Sequence, residues 1–214
     1  MNQNYRDQLL AHIREDNKLI NEIHEVDTEW DFRVETCARR LLTAVCFREN
    51  AENTYKITKS VILPIIGFYY SMFHMSLALL SVEYTTEIDA LNKIPHNKLI
   101  NLIHDKFIKR SIIEREFFDI LVELRELRGI ANYSFYELRN LDIELYYPKT
   151  EIAFNMAIKF IKEVHNIIKN EYHILTTMEV TIFDGIGDDI LSTYLSTNEI
   201  RTVEKYLENF FSQK

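Results

Sequence analysis

Residues 61–82 read VILPIIGFYYSMFHMSLALLSV, and this stretch decides the fold. It holds no Asp, Glu, Lys or Arg, and it is long enough to cross a bilayer as a helix. Pro64, two tyrosines, three serines and His74 interrupt it, however, and no polybasic segment flanks it. We therefore interpret it as the buried central helix of a bundle without a membrane span, with Pro64 in the first turn, where a helix tolerates proline.

The composition predicts an all-α protein. The 214 residues include only four Gly and three Pro, whereas a sheet sandwich would need turn residues about every ten positions. The apolar residues recur at helical spacing, and no repeat or long linker divides the chain. We expect one domain over residues 1–214, built as an up-down helical bundle.

The cysteines and the N-terminus indicate a cytoplasmic protein. Cys37 and Cys46 lie nine residues apart on one predicted helix, a spacing that suits neither a disulfide nor a metal-ligand pair. We interpret them as buried apolar residues in a reducing compartment. The first 18 residues are polar and charged, so no signal peptide is expected there.

Capping residues and prolines predict where the helices begin and end. Thr28 is a predicted N-cap, and 111–114 and 196–199 read as capping boxes. Pro148 suits the first turn of a late helix. We expect helices over about 5–23, 28–51, 60–82, 96–109 and 111–132, and from Pro148 to about 170. Within the C-terminal extension, 171–214, the alternation at 178–182 is that of a short strand.

The charge distribution restricts where an anionic ligand could bind. The net charge is −8, which argues against broad attraction to nucleic acid. Only in the middle third, residues 98–141, do basic side chains outnumber acidic ones. The sequence lacks the phosphate loop, the dinucleotide fingerprint, the zinc-protease helix and the serine-hydrolase elbow. We predict no metal site and no cofactor.

The predicted helix 111–132 carries a polar face with a possible function. At 100° per residue, Arg125, Arg128 and Asn132 fall within a sector of about 60° at the border of the apolar stripe. An arginine at the edge of a core is costly without a carboxylate or phosphate partner. Three interpretations stay open. The arginines pair with acidic residues of neighbouring helices, they form an anion site with Asn132 and Tyr133, or they are exposed without a role.

Three segments resemble the HEPN superfamily, small prokaryotic members in particular. The segment LRELRGIANYSFYE at 124–137 resembles the Arg-containing motif near the end of a HEPN helix. FYYSMFHMSLALL at 68–80 and HNKLINLIHDKFI at 96–108 resemble the two preceding helices, in the same order and at similar spacing. The resemblance covers about residues 30–170, so the N-terminal helix and the C-terminal extension are additions.

The resemblance implies a bundle of four to five helices that dimerises with its Arg-bearing helices facing one cleft. Active relatives are metal-independent ribonucleases that use an Arg followed by a His. Here Arg128 matches the motif Arg, but Asn132 stands where Asp or His would be, and no His follows at the motif spacing. Because Asn does not transfer protons at neutral pH, the usual acid–base pair is incomplete. His74 is the candidate for recruitment, whereas His96 and His104 read as a surface pattern.

Three functions remain open from the sequence. The first is a HEPN-like homodimer that binds a nucleotide or RNA through Arg125, Arg128, Asn132, Tyr133 and His74. The second is an active ribonuclease toxin, with Arg128, Asn132 and Tyr133 as its catalytic candidates. The third is a helical protein–protein interaction module with structural arginines. A toxin–antitoxin or defence setting, with a nucleotidyltransferase-type antitoxin as partner, is what the resemblance implies for the first two.

Overall fold

The computed structural model describes residues 1–23 and 29–171, together with residues 197, 200 and 201. Within this part of the chain all regular elements are helical, which confirms the all-α prediction. The main helices are α1 (Gln3–Ile23), α2 (Glu29–Thr58), α3 (Ile62–Ser81), α4 (His96–Ile103), α5 (Arg115–Tyr133) and α6 (Tyr146–Glu171). The Thr28 cap, the strand at 178–182 and the capping box formed by Ser196 and Glu199 fall outside the described residues.

Helix α3 is the centre of the bundle. It packs against α2 on one side, against α4 and α5 on another, and against α6. Among the described helices α3 is long and apolar enough to cross a membrane, but most of its length is buried against the other helices. From Phe68 to Ser81 the side chains that are not fully buried are Tyr70, Phe73 and His74. They define one narrow stripe along which the central helix meets solvent.

The serines of α3 explain how a polar residue is accommodated in this core. The hydroxyls of Ser71, Ser76 and Ser81 donate to backbone carbonyls three or four residues earlier, at 2.7–2.8 Å. A buried hydroxyl without such an acceptor would cost a few kcal/mol. The polar residues that interrupt the apolar stretch are therefore compatible with a core helix.

Helix α2 continues beyond its expected end near Ala51, to Thr58. The reason is its antiparallel packing against α3. A Cβ built at Gly67 of α3 would lie 2.9 Å from the Cβ of Ala51, so the two helices approach closely there. The chain then turns at Lys59, whose φ of 55° is left-handed, and α3 begins three residues later. Packing against α3 thus stabilises two further turns of α2.

The capping box predicted at 111–114 is wrong. Ser111 has a φ of 53°, whereas an N-cap residue adopts an extended conformation. Helix α4 instead continues as a π-turn over His104–Ile108, and the amide of Ile112 donates to the carbonyl of Phe107 at 2.9 Å. Ser111 thus belongs to the end of the preceding helix. Helix α5 begins at Arg115, after an extended Glu114.

A buried ion-pair network holds the α3–α4 connection in place. The carboxylate of Glu83 is fully buried, accepts hydrogen bonds from Thr85 and Thr86, and pairs with Arg110 at 3.2 Å. The buried guanidinium of Arg33 donates to three backbone carbonyls of the same loop at 2.7–3.1 Å. These bonds give hydrogen-bond partners to loop carbonyls that would otherwise be buried unpaired. They also fix the position at which α4 begins.

Helix α1 packs on this bundle through a regular apolar stripe. Tyr5, Leu9 and Ile13 recur every four residues and are almost completely buried. At the far end, Arg14 forms two hydrogen bonds of 2.8 and 2.9 Å with Glu171, the last residue of α6. Cys37 lies in the core and Cys46 is half-buried, and neither forms a disulfide in the described part of the chain. Pro148 lies in the first turn of α6, as expected.

Candidate functional site

The partly exposed stripe of α3 is flanked by α2 on one side and by α4 and α5 on the other. We call this surface the α3 groove. Its floor is formed by Tyr70, Phe73 and His74. Side chains of the flanking helices reach this floor, and those that contact it or lie beside it are Arg40 and Phe47 of α2, His96 of α4, and Arg125 and Arg128 of α5.

Arg128 lies against the aromatic floor. Its guanidinium carbon is 5.4 Å from the ring centre of Tyr69 and 5.6 Å from that of Tyr70, which are cation–π distances. One terminal nitrogen donates to the Tyr70 hydroxyl at 3.4 Å, a long bond. The Nε is buried and has no hydrogen-bond partner among the described residues. The Nε is therefore closed to a ligand in this conformation, and the donors that remain for one are those of the terminal nitrogens.

Arg125 lies one turn earlier on α5, at the α4 side of the groove. It donates to the side-chain oxygen of Asn97 at 3.1 Å. Within residues 1–23 and 29–171, neither Arg125 nor Arg128 forms an ion pair with a carboxylate. The pairing with acidic residues of neighbouring helices, one of the three interpretations of the sequence, is thus not found in that part of the chain.

Other arginines of this protein show how a structural guanidinium is satisfied here. The fully buried Arg48 pairs with Glu49 at 3.2 Å and with Glu151, and it stacks on the ring of Tyr147 at 3.8 Å. Arg33 bonds to backbone carbonyls and to Glu29. Arg125 and Arg128 have no anionic partner in residues 1–23 and 29–171: Arg128 lies over aromatic rings and Arg125 donates to an amide. This difference distinguishes them from the arginines that hold the fold together.

His96, the first residue of α4, is the site residue that the sequence did not identify. Its ring centre is 4.7 Å from that of Phe73, and its Nδ1 is hydrogen-bonded to the hydroxyl of Tyr69. Burial raises the pKa of Tyr69 to about 12, so this hydroxyl stays protonated and donates. Burial and the charges of Arg128 and Arg125 lower the pKa of His96. The neutral ring accepts at Nδ1 and carries its proton on Nε2.

His74 lies on the α2 side of the groove floor. Its ring is stacked on Phe47, with the centres 5.5 Å apart and an angle of 8° between the planes. Burial, with a smaller contribution from Arg40, lowers its pKa to about 4. The ring is therefore uncharged at neutral pH, and its buried Nδ1 has no hydrogen-bond partner in the described residues. His74 contacts Phe47 and Phe73 and makes no ring contact with the α5 arginines.

Asn132 and Tyr133 lie at the C-terminal end of α5. Both are exposed, and Tyr133 retains 87% of its accessible surface. Asn132 follows Arg128 by one turn, on the side of α5 that the sequence predicted. The structure thus brings Arg125 and Arg128 together at the groove, with Asn132 and Tyr133 beyond its end and His74 on the opposite side of the floor. Their participation in binding stays a prediction.

The chemistry available in the groove is anion binding and aromatic stacking. Each guanidinium can donate two parallel hydrogen bonds to a phosphate, and the ring faces can pack against a planar base. No group of three or more His, Cys, Asp or Glu side chains in the described part of the chain could hold a metal ion. Comparisons of the chain with protein-family models, with curated proteins and with solved structures each gave no match.

Proposed function

We propose that the protein binds a nucleotide or RNA in the α3 groove, as a HEPN-like binding protein that does not cleave its ligand. The observation that carries this proposal is the environment of the two α5 arginines. Arg125 and Arg128 lie against aromatic rings and an amide, without a carboxylate partner in residues 1–23 and 29–171. A partly buried guanidinium without an anion is costly, and a phosphate would supply the missing charge.

The aromatic floor favours a nucleotide over a simple inorganic anion. Tyr70 and Phe73 are half-buried, and Phe47 at the α2 edge is exposed, so ring surface is accessible next to the arginines. Stacking of a base on an aromatic ring contributes about 1–3 kcal/mol. The net charge of −8 opposes long-range attraction, so the ligand has to be recognised by local contacts.

The proposal includes a homodimer and a cytoplasmic toxin–antitoxin or defence setting, both taken from the HEPN resemblance. In that arrangement the α5 helices of two protomers face one cleft. A nucleotidyltransferase-type antitoxin is the partner that this setting would supply. The exposure of Tyr133 and Asn132 at the end of α5 is compatible with such a cleft, since both side chains are free to meet a second copy or a ligand.

His96 favours a second candidate function, a metal-independent ribonuclease. It offers an imidazole close to Arg128, although it comes from α4 and not from the position after the motif Arg. A neutral imidazole can take a proton from a ribose hydroxyl, and an arginine can stabilise the charge that develops on the phosphate. Nδ1 carries the lone pair of the neutral ring, so it can take this proton only after the hydrogen bond from Tyr69 is released, while Nε2–H can donate a hydrogen bond to the phosphate.

Binding is tested by fluorescence anisotropy with a labelled single-stranded RNA octamer at low salt. We expect the wild type to bind and Arg128→Ala to weaken binding about tenfold, as loss of a charge-assisted contact does. Arg115→Ala is the matched control, because Arg115 lies on the same helix, is exposed and pairs with Asp119. Equal affinities for Arg128→Ala and Arg115→Ala would refute the proposal.

The ribonuclease candidate is tested on a denaturing gel with chelator present. We expect intact RNA with the wild type. Cleavage that disappears in both Arg128→Ala and His96→Gln would establish the second candidate instead. If the folded protein neither retains nor cuts RNA, the interaction module is the function that remains.

A further inference from the structure

A third arginine, Arg40 of α2, lies on the opposite side of the α3 groove. Arg40, Thr43 and Phe47 are spaced i, i+3 and i+7, so they share the face of α2 that meets α3. Phe47 stacks on both Tyr70 and His74 at 5.5 Å, which places this face at the groove floor. Arg40 is close enough to His74 for its charge to lower the pKa of that imidazole.

Arg40 resembles the α5 arginines in its surroundings. It is partly buried, and burial lowers the pKa of its guanidinium. It makes no hydrogen bond and no ion pair with the described residues. Its neighbour Arg39, by contrast, is exposed and pairs with Glu35 on the outer face of α2. Of these two adjacent arginines, only Arg40 shares the groove face with Phe47.

The rings between the arginines form a continuous surface. Consecutive ring centres are 5.5 Å apart from Phe47 to Tyr70, 6.3 Å from Tyr70 to Phe73, and 4.7 Å from Phe73 to His96. Positive charge thus stands on both sides of an aromatic floor that runs across α3. A mononucleotide held by Arg125 and Arg128 would leave Arg40 unused, whereas a strand that crosses the floor brings a second phosphate to it.

We propose that the ligand of the α3 groove is a single strand of RNA that crosses α3, with phosphates at Arg125 and Arg128 on one side and at Arg40 on the other. This inference rests on the proposed function and adds the ligand's length and path. Unpaired bases are required, because only an unstacked strand can lay its bases on the floor rings. A duplex would present phosphates to the arginines and keep its bases from the rings.

The test measures the salt dependence of binding for an RNA octamer and for AMP, using wild type, Arg40→Gln, Arg39→Gln and Arg128→Ala. Each phosphate contact to a single strand contributes about −0.7 to the slope of log K against log salt concentration. We expect Arg40→Gln to reduce the octamer slope by about 0.7 and its affinity several-fold. AMP binding stays unchanged in Arg40→Gln, while Arg128→Ala weakens both ligands.

One further variant and a folding control keep the outcomes separate. Arg40→Lys retains the charge and is expected to keep the wild-type slope, and a thermal melt of each variant checks that it is folded. If Arg40→Gln matches Arg39→Gln for the octamer while Arg128→Ala still weakens it, the crossing path is wrong and the proposed function stands. If Arg128→Ala has no effect on either ligand, both proposals fail, whereas a wild type that binds duplex RNA of the same length more tightly than the single strand would overturn the single-stranded path alone.

Discussion

Protonation of His74 should destabilise the folded protein as the pH falls from about 6.5 to about 4. The ring lies between Phe47 and Phe73, and burial lowers its pKa from 6.5 to about 4. Between these two values the unfolded chain binds a proton at this residue that the folded protein does not. The free energy of unfolding therefore rises with pH across this window. The contribution of the uncharged His74 is fully present above about pH 6.5 and is lost on acidification.

The magnitude follows from the two pKa values. An interval from 6.5 to about 4 corresponds to about 3.5 kcal/mol at most, since each pKa unit is worth about 1.4 kcal/mol. The ring is only partly buried, so solvent screening reduces the expected loss to about 2 kcal/mol. The substitution His74→Phe retains the aromatic stacking and removes the titrating group.

Urea unfolding followed by circular dichroism at several pH values between 7.5 and 4.5 measures this loss. The variant reports the pH dependence of all other groups, so the difference between wild type and His74→Phe isolates His74. We expect the wild type to lose about 2 kcal/mol relative to the variant over this range. Parallel curves for the two proteins would show that His74 titrates normally and that its place in the groove floor is wrong.

Two further predictions concern the helix packing and the buried network. Gly129→Ala should raise the free energy of unfolding by about 0.5–1 kcal/mol, because a Cβ there meets nothing within 4 Å. Gly67→Ala should lower it by about 1–3 kcal/mol, because its Cβ would collide with Ala51. Urea unfolding measures both changes. Glu83→Gln should cost about 2–4 kcal/mol, because the fully buried carboxylate loses its charge between Arg110 and its hydroxyl donors. The matched control, Glu126→Gln on the exposed side of α5, should change stability by less than about 0.5 kcal/mol; comparable losses for the two glutamates would contradict this account.

The fold was predictable to the extent that it depends on local patterns. The uncharged stretch 61–82 predicted a central helix, and helical spacing predicted the polar face of α5. The prediction of a capping box at 111–114 was wrong. Its residue types suit an N-cap, but Ser111 follows the π-turn at the end of α4 and adopts a left-handed conformation there. The end of α2 was misplaced because contacts with α3, absent from any local pattern, stabilise its last turns.

The candidate site was predictable along α5 and at His74 of α3. Helical spacing put Arg125 and Arg128 on one face, and the structure keeps them together. His96 was missed because its contact with Tyr69 joins residues 27 apart in sequence, across a loop whose course depends on the buried network. The sequence did not identify Arg40, because only the packing of α2 on α3 shows which of the adjacent Arg39 and Arg40 faces the groove.

The central claim is that RNA lies along the floor of the α3 groove. It is tested most directly by photo-cross-linking of a 4-thiouridine-labelled single-stranded octamer, followed by mass spectrometry of the cross-linked peptides. The account predicts cross-links at Phe47, Tyr70 or Phe73, and none at Phe32, a more exposed aromatic ring outside the groove. Cross-links that appear at Phe32 and not on the groove floor would contradict it.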